Sequence, residues 1–207
     1  MKRHSDIFTK RQIDPGWNVV QAATLIALAK EKKRASLLIY AGLEMRMAVE
    51  QLLFIVVTAV KEGADAATIE ECRKKDGLFR VLKEVEPLYT LRCMFCNALS
   101  ESYPQIPQIA EWDVRSLKRY YTDLSDLCHS QLAVRDWDDE PTYWERQMGL
   151  LEEVYEFLAA GLRKGTGVLK LKEQNPLLSQ LWEDFSTKKI SIADVRQRFA
   201  IIKSTLR

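Results

Sequence analysis

Between Ala35 and Lys61 the chain runs 27 residues with no proline and a single glycine, Gly42. Its apolar residues (Leu37, Leu38, Ile39, Leu43, Met45, Met47, Val49 and the run Leu52 to Val57) fall on every side of a helix. A helix that is apolar all round is buried at the centre of a protein or in a membrane. The unbroken apolar stretch here is Leu52 to Val57, extended through Thr58 to Val60. That is far short of the ~18 residues of a membrane span. The expectation is a central helix wrapped by others. Composition agrees: the 207 residues include only 8 Gly and 6 Pro, with 47% apolar and 29% charged residues. Such a chain is neither disordered nor collagen-like, and it favours helices.

Three charged residues interrupt that helix. Arg46 and Glu50 are spaced i, i+4 and can pair, in the weaker order. Glu44 lies about 200° around the helix from Arg46 and cannot share the pair. It needs a donor from another helix or an opening to water. The reading left for Glu44 is a structural buried pair, an edge position, or a polar group lining a cleft.

Local signals place the other elements. Residues 1–16 read as a basic lead. Asp14-Pro15 is a cap followed by a first-turn proline, opening a helix from about Trp17 to Arg34 with Val20, Ala23, Leu25, Leu28 and Ala29 apolar. Gly63 ends the central helix. Asp65 caps a short helix through Lys74, and Asp76 caps another through Glu86. Pro87 starts a longer one to about Ser102, and the Tyr103 to Ile109 stretch, with two prolines, is a loop. The next helix, about Glu111 to Leu132, has the seam Val114, Leu117, Tyr121, Leu124, Cys128 and Leu132. An acidic turn from Asp136 to Pro141 leads to a helix from Thr142 to Arg163. These elements make residues 17–163 one helical bundle. After a linker over 164–174, Asn175-Pro176 and the Ser191/Asp194 capping box open two short helices, a C-terminal helical hairpin over 175–207. Alone it is too small to fold, so it docks in cis or on a partner.

The net charge is only +2, but it is segregated along the chain: +5 over residues 1–34, −7 over 111–160 and +6 over 161–207. Opposed blocks can join two protomers or hold a protein partner, and they can equally be solvated helix faces. Met1 to Asp14 is charged and lacks the apolar core of a secretory signal, and the four cysteines make no disulfide framework. The expected setting is cytoplasmic, with no membrane.

Cys93-Met-Phe-Cys96 has redox or zinc spacing but falls inside an expected helix with no strand before it. Two buried thiols and no metal are expected. Of the two histidines, His4 is in the basic lead. His129 sits one residue off the seam, on a polar stripe with Lys118, Thr122 and Ser125, and with Asp126 one turn before it. Such a stripe lines a cleft, where histidine serves as general acid or base near neutral pH. The structural alternative is a capping histidine at a helix C-terminus. No phosphate loop, HExxH, GxSxG or calcium-loop pattern occurs, and no cofactor is expected.

The phrases Tyr40-Ala-Gly-Leu-Glu-Met-Arg46 and Tyr120-Tyr-Thr-Asp-Leu-Ser-Asp-Leu-Cys-His129 on an apolar helical pair resemble the HEPN superfamily. The resemblance covers roughly residues 17–163. It implies an all-α, HEPN-like antiparallel helical bundle, a homodimer, and a bacterial defence or toxin–antitoxin setting. It also implies metal-independent RNA cleavage or nucleotide recognition. On that reading His129 works on the ribose 2′-hydroxyl, Asp126 orients it, and Lys118, Arg119, Ser125 and Glu44 contact substrate. Active members resemble one another in an Arg four to six positions before the His. Here those places hold Asp123, Leu124 and Ser125, and Arg119 is ten residues upstream. That leaves a degenerate nuclease, a non-catalytic RNA- or nucleotide-binding module, or a structural protein that dimerises or holds a protein partner.

Overall fold

The Asp14 carboxylate accepts a hydrogen bond from the Trp17 backbone N–H at 2.8 Å. Pro15 follows in the first turn, where its missing N–H is not needed. These residues start α1, Pro15–Lys32, in the computed structural model, which describes residues 14–61, 63, 65–103, 106, 108–129, 141–164 and 175–203. Lys33 ends α1 in the left-handed region at φ 50°, and α2, Ala35–Lys61, begins two residues later. Gly63, at φ 120°, closes α2 by donating its N–H to the Thr58 carbonyl at 2.8 Å. The remaining helices are α3 (Ala66–Arg73), α4 (Gly77–Ser102), α5 (Val114–His129), α6 (Pro141–Leu162), α7 (Pro176–Ser186) and α8 (Ile192–Ile202). The described residues contain no strand, so the protein is all-α. No described helix is long and apolar enough to cross a membrane.

The chain forms two units. The first holds residues 1–52 and 113–163, and the second holds 53–112 and 164–207. These limits differ from a 17–163 bundle with a separate 175–207 hairpin. The division falls inside α2, and the hairpin belongs with α4. Of the sequence features named above, the basic lead through residue 13 with His4, Leu132, the 136–140 part of the acidic turn and the 165–174 part of the linker lie outside the described residues.

The first unit is built on inward faces of four helices. α1 buries Val19, Ala22, Ile26 and Ala29; α2 buries Leu38, Ala41, Met45, Ala48 and Val49. α5 buries Val114, Leu117, Tyr120, Leu124 and Leu127, and α6 buries Met148, Leu151, Val154 and Leu158. Each large side chain so removed from water contributes on the order of 1.5–3 kcal/mol. Lys30 of α1 also pairs with Glu152 of α6. Two expectations change here. Val20 and Leu28 turn outward, because the α1 face is set by Asn18, Val19, Ala22 and Ile26. α2 is apolar all round but not buried all round, since Tyr40, Leu43 and Met47 are exposed.

The second unit centres on α4. Asp76 adopts a left-handed conformation at φ 58° and makes no side-chain cap. Pro87 does not start a helix but lies inside α4. It sits on the exposed side, where water can satisfy the carbonyl its ring nitrogen cannot. Phe95 packs edge-on against Trp182 at 5.4 Å and stacks on Phe185 at 5.9 Å, binding α7 to α4. The buried Arg92 guanidinium lies 4.8 Å from the Trp182 ring centre. Arg196 of α8 forks onto Glu101 of α4 at 2.8 and 3.0 Å. The capping box forms as expected: the Asp194 N–H reaches Ser191 Oγ, and the Ser191 N–H reaches the Asp194 carboxylate. The return segment is held by side chains of α4. Asn97 exchanges two hydrogen bonds with the Ile109 backbone, at 2.8 and 3.1 Å. The Tyr89 hydroxyl donates to the Ala110 carbonyl and accepts from the Trp112 N–H.

Candidate functional site

α5 starts at Val114, three residues later than expected, just after Asp113. The Asp113 carboxylate accepts from the Ser116 hydroxyl at 2.6 Å and from the N–H groups of Ser116 and Arg115. Those bonds, the Ser116 hydroxyl first, hold the Asp113 carboxyl below the ordinary range. The buried seam then runs through Val114, Leu117, Tyr120, Leu124 and Leu127. Tyr121 and Cys128, expected at its centre, sit half-buried on its flank. That small rotation puts Tyr121, Ser125 and Cys128 along the side where α5 meets α2.

The approach there is close. A Cβ added to Gly42 would lie 2.7 Å from Leu127 Cδ2 and 3.8 Å from Cys128 Sγ. One turn along α2 from Gly42, Arg46 reaches α5. Its Nε donates to Ser125 Oγ at 2.9 Å, and its Nη2 donates to the Tyr121 hydroxyl at 2.8 Å. The guanidinium carbon also lies 4.9 Å from the Tyr121 ring centre. Ser125 Oγ in turn donates to the Tyr121 carbonyl at 2.6 Å, which fixes its lone pairs toward Arg46. The Arg46–Glu50 pair is not made. Within α2 that pair has the weaker orientation, while α5 offers two fixed oxygens.

Among the described residues no carboxylate lies within ion-pair distance of Arg46. Its described partners are two hydroxyls and a ring, and it is half-buried. The nearby Cys128 thiol is pushed up by burial, and the Arg46 charge opposes that shift.

The sequence-identified residues distribute as follows. Ser125 is in the cluster. His129 is exposed and ends α5, one turn beyond Ser125, and Asp126 is exposed three residues before it. Lys118 is half-buried two turns before Ser125. Arg119 points elsewhere: it pairs with Glu153 of α6 at 2.8 Å and covers the Tyr120 ring at 4.5 Å. The Tyr120 hydroxyl donates to the same Glu153 oxygen, so Arg119's charge is already matched. Glu44 is half-buried, burial raises its carboxyl, and it has no hydrogen-bond partner among the described residues.

Arg46 and Tyr121 are the residues that sequence reasoning left out of the site. Arg46 had a signal, a lone cation in an apolar helix, but its nearest sequence partner drew the assignment. Cys93 and Cys96 are both buried, and burial pushes the Cys93 thiol up to about 12, so it stays protonated near neutral pH. Among the described residues no three His, Cys, Asp or Glu side chains gather closely enough to hold a metal ion. The chain matches no family model, no curated protein and no solved structure.

Proposed function

We propose that the first unit is a HEPN-like RNA-binding module in which Arg46 holds a phosphate of the RNA backbone. The observation that carries this is the guanidinium itself. It is positioned by Ser125 and Tyr121, is half-buried, and has no carboxylate in ion-pair distance among the described residues. Two of its N–H groups are used, and a guanidinium has five. A phosphate supplies the missing negative charge in the geometry arginine binds best. The HEPN resemblance expects an Arg four to six residues before the His. Arg46, from α2, brings a guanidinium to Ser125, four residues before His129. Arg119 is matched by Glu153 and adds no free cation.

The test is binding of a labelled single-stranded RNA, followed by fluorescence anisotropy across a salt series. Arg46→Gln should weaken binding and reduce the slope of log K against log salt by about 0.7, one phosphate on a single strand. Arg46→Lys should keep the slope. Thermal unfolding of both variants separates lost binding from lost fold. No RNA binding by the wild type, or an unchanged slope in Arg46→Gln, refutes the reading.

A second reading is cleavage by the same module, and the placement of His129 favours it. The imidazole is solvent-accessible, one helical turn from the Arg46–Ser125 bond. There it can take a proton from a ribose 2′-hydroxyl whose phosphate Arg46 holds, with Asp126 three residues away to orient it. This chemistry needs no metal.

A further inference from the structure

α1 carries no charged residue from Pro15 to Ala29. Its inner face is buried through Val19, Ala22, Ile26 and Ala29. Its outer face is apolar as well. Trp17, Val20 and Leu28 are 52%, 59% and 37% exposed. With Thr24 they fall within an arc of about 80° and form a row about 17 Å long. The Thr24 hydroxyl donates to the Val20 carbonyl at 3.0 Å, so its proton is already placed. Cations stand only beyond the row. Eight Lys or Arg fall in residues 1–34, four up to Arg11 and four from Lys30, with none between. Three carboxylates oppose them, Asp6, Asp14 and Glu31. Glu31 lies on the line of the row but pairs with Lys32, and Lys30 pairs with Glu152. Lys33 and Arg34 follow at once. Both are exposed, and neither has an ion-pair partner among the described residues.

We propose that the outer face of α1 docks on an anionic membrane surface, lying on the bilayer without crossing it. No described helix is long and apolar enough to cross. Val20 and Leu28 enter the boundary between headgroups and acyl chains, and Trp17 has the apolar ring and polar N–H that suit that boundary. Lys33 and Arg34, at the end of the row, meet the anionic headgroups. The distribution of charge favours lipid over a partner helix. A partner helix is held in register by charges along the flanks of an apolar row. Here none occurs between Trp17 and Leu28, and the cations gather outside the row. A lipid surface has no register to set. RNA phosphates attract the same cations but offer nothing apolar to cover Val20 and Leu28. The inner face of α1 is held by the core, so the row is presented already folded.

Co-sedimentation of the full chain with vesicles tests this. One set is phosphatidylcholine alone, and the other mixes phosphatidylcholine with phosphatidylglycerol. The wild type should pellet with the anionic vesicles, stay in the supernatant with the neutral ones, and be released as salt screens the cations. The double variant Trp17→Gln/Val20→Asp should weaken anionic-vesicle binding by roughly tenfold or more, with unchanged circular dichroism because both side chains are exposed. Lys33→Gln/Arg34→Gln should weaken it by roughly tenfold. Tryptophan emission of the wild type should shift to the blue on anionic vesicles. Trp17→Phe, which keeps an apolar side chain, should still bind but lose most of that shift. A wild type left in the supernatant with both vesicles overturns the proposal and is the result expected if the row holds a protein partner. Pelleting indifferent to Trp17→Gln/Val20→Asp also overturns it, since attraction of charge through another surface would then explain the binding. So does a blue shift that survives in Trp17→Phe.

Discussion

Arg46 on α2 and Ser125 on α5, 79 residues apart in sequence, are joined by a 2.9 Å hydrogen bond from guanidinium Nε to hydroxyl Oγ. Ser125 cannot turn away to release Arg46, because its own proton is committed to the Tyr121 carbonyl. The bond ties two helices of the first unit and is partly shielded from water. Ser125→Ala should cost about 1 kcal/mol in urea unfolding. A double-mutant cycle with Arg46→Met should show a coupling of roughly 0.5–1.5 kcal/mol between the two positions. A coupling near zero would mean that the bond contributes nothing to the fold.

Gly42 is where α2 comes close enough to α5 for that bond to form. Alanine is the better helix former by about 1 kcal/mol, so Gly42→Ala should stabilise an unconstrained helix. Here the new methyl meets Leu127 Cδ2 at 2.7 Å and Cγ at 3.4 Å, and Leu127 is buried with little room to move. Overpacking of this kind costs about 1–3 kcal/mol. The expected net result is a loss of about 1 kcal/mol in denaturant unfolding, together with weaker RNA binding as Arg46 is pushed from Ser125. Combining Gly42→Ala with Leu127→Ala should cost less than the two single changes added together. A Gly42→Ala variant more stable than wild type would show that the helices are not held so close.

The α5 register explains why part of this site was illegible in the sequence. Val114, Leu117 and Leu124 are common to two seams, one completed by Tyr121 and Cys128, the other by Tyr120 and Leu127. Periodicity cannot choose between them, because both obey the same three- and four-residue spacing. Tertiary contacts choose: the Tyr120 hydroxyl finds Glu153 on α6, and Gly42 leaves room for Leu127. Arg46 was misassigned for a related reason. Glu50 is visible as a neighbour four residues on, while Ser125 becomes one only when the helices pack. Where a signal is local it read correctly. Asp14-Pro15, Asn175-Pro176 and the Ser191–Asp194 box each cap a helix within two or three residues. Asp76 and Pro87 are local signals that misled: Asp76 turns left-handed without capping α4, and an exposed helix flank tolerates a proline that a buried one does not.

Glu44 carries a pH dependence whose sign follows from its surroundings. Burial raises its carboxyl above the ordinary value, and no donor among the described residues offsets the cost. The folded state therefore holds the proton more tightly than the unfolded state. The stability linked to that proton is complete below the unfolded carboxylate range and is lost as pH rises through the raised folded value. Glu44→Gln cannot ionise. It should match wild type in acid and exceed it at neutral pH, by less than about 1 kcal/mol because the side chain is only half-buried and water screens it. Unfolding curves at pH 3.5 and pH 7 decide this, one below and one above the ordinary carboxyl range of about 4. A variant less stable than wild type at neutral pH would reveal a donor to the Glu44 carboxylate.

His129 separates binding from chemistry. It is exposed at the end of α5, so His129→Ala should change stability by no more than about 0.5 kcal/mol. Arg46, Ser125 and Tyr121 remain in place in that variant, and its affinity for single-stranded RNA should be unchanged. If the module cleaves RNA, the proton from the 2′-hydroxyl must go to a base, and His129 is the accessible imidazole on the helix that carries Ser125. General acid–base groups contribute roughly 10²–10⁴-fold to rate. RNA cleavage by the wild type should therefore survive EDTA and fall by that factor in His129→Ala at constant affinity. Arg46→Gln should instead weaken binding and rate together. Equal cleavage by wild type and His129→Ala would place the base elsewhere or trace the activity to a contaminant. A large loss of stability in the variant would make His129 a structural residue, a C-terminal cap of α5, and remove it from the chemistry.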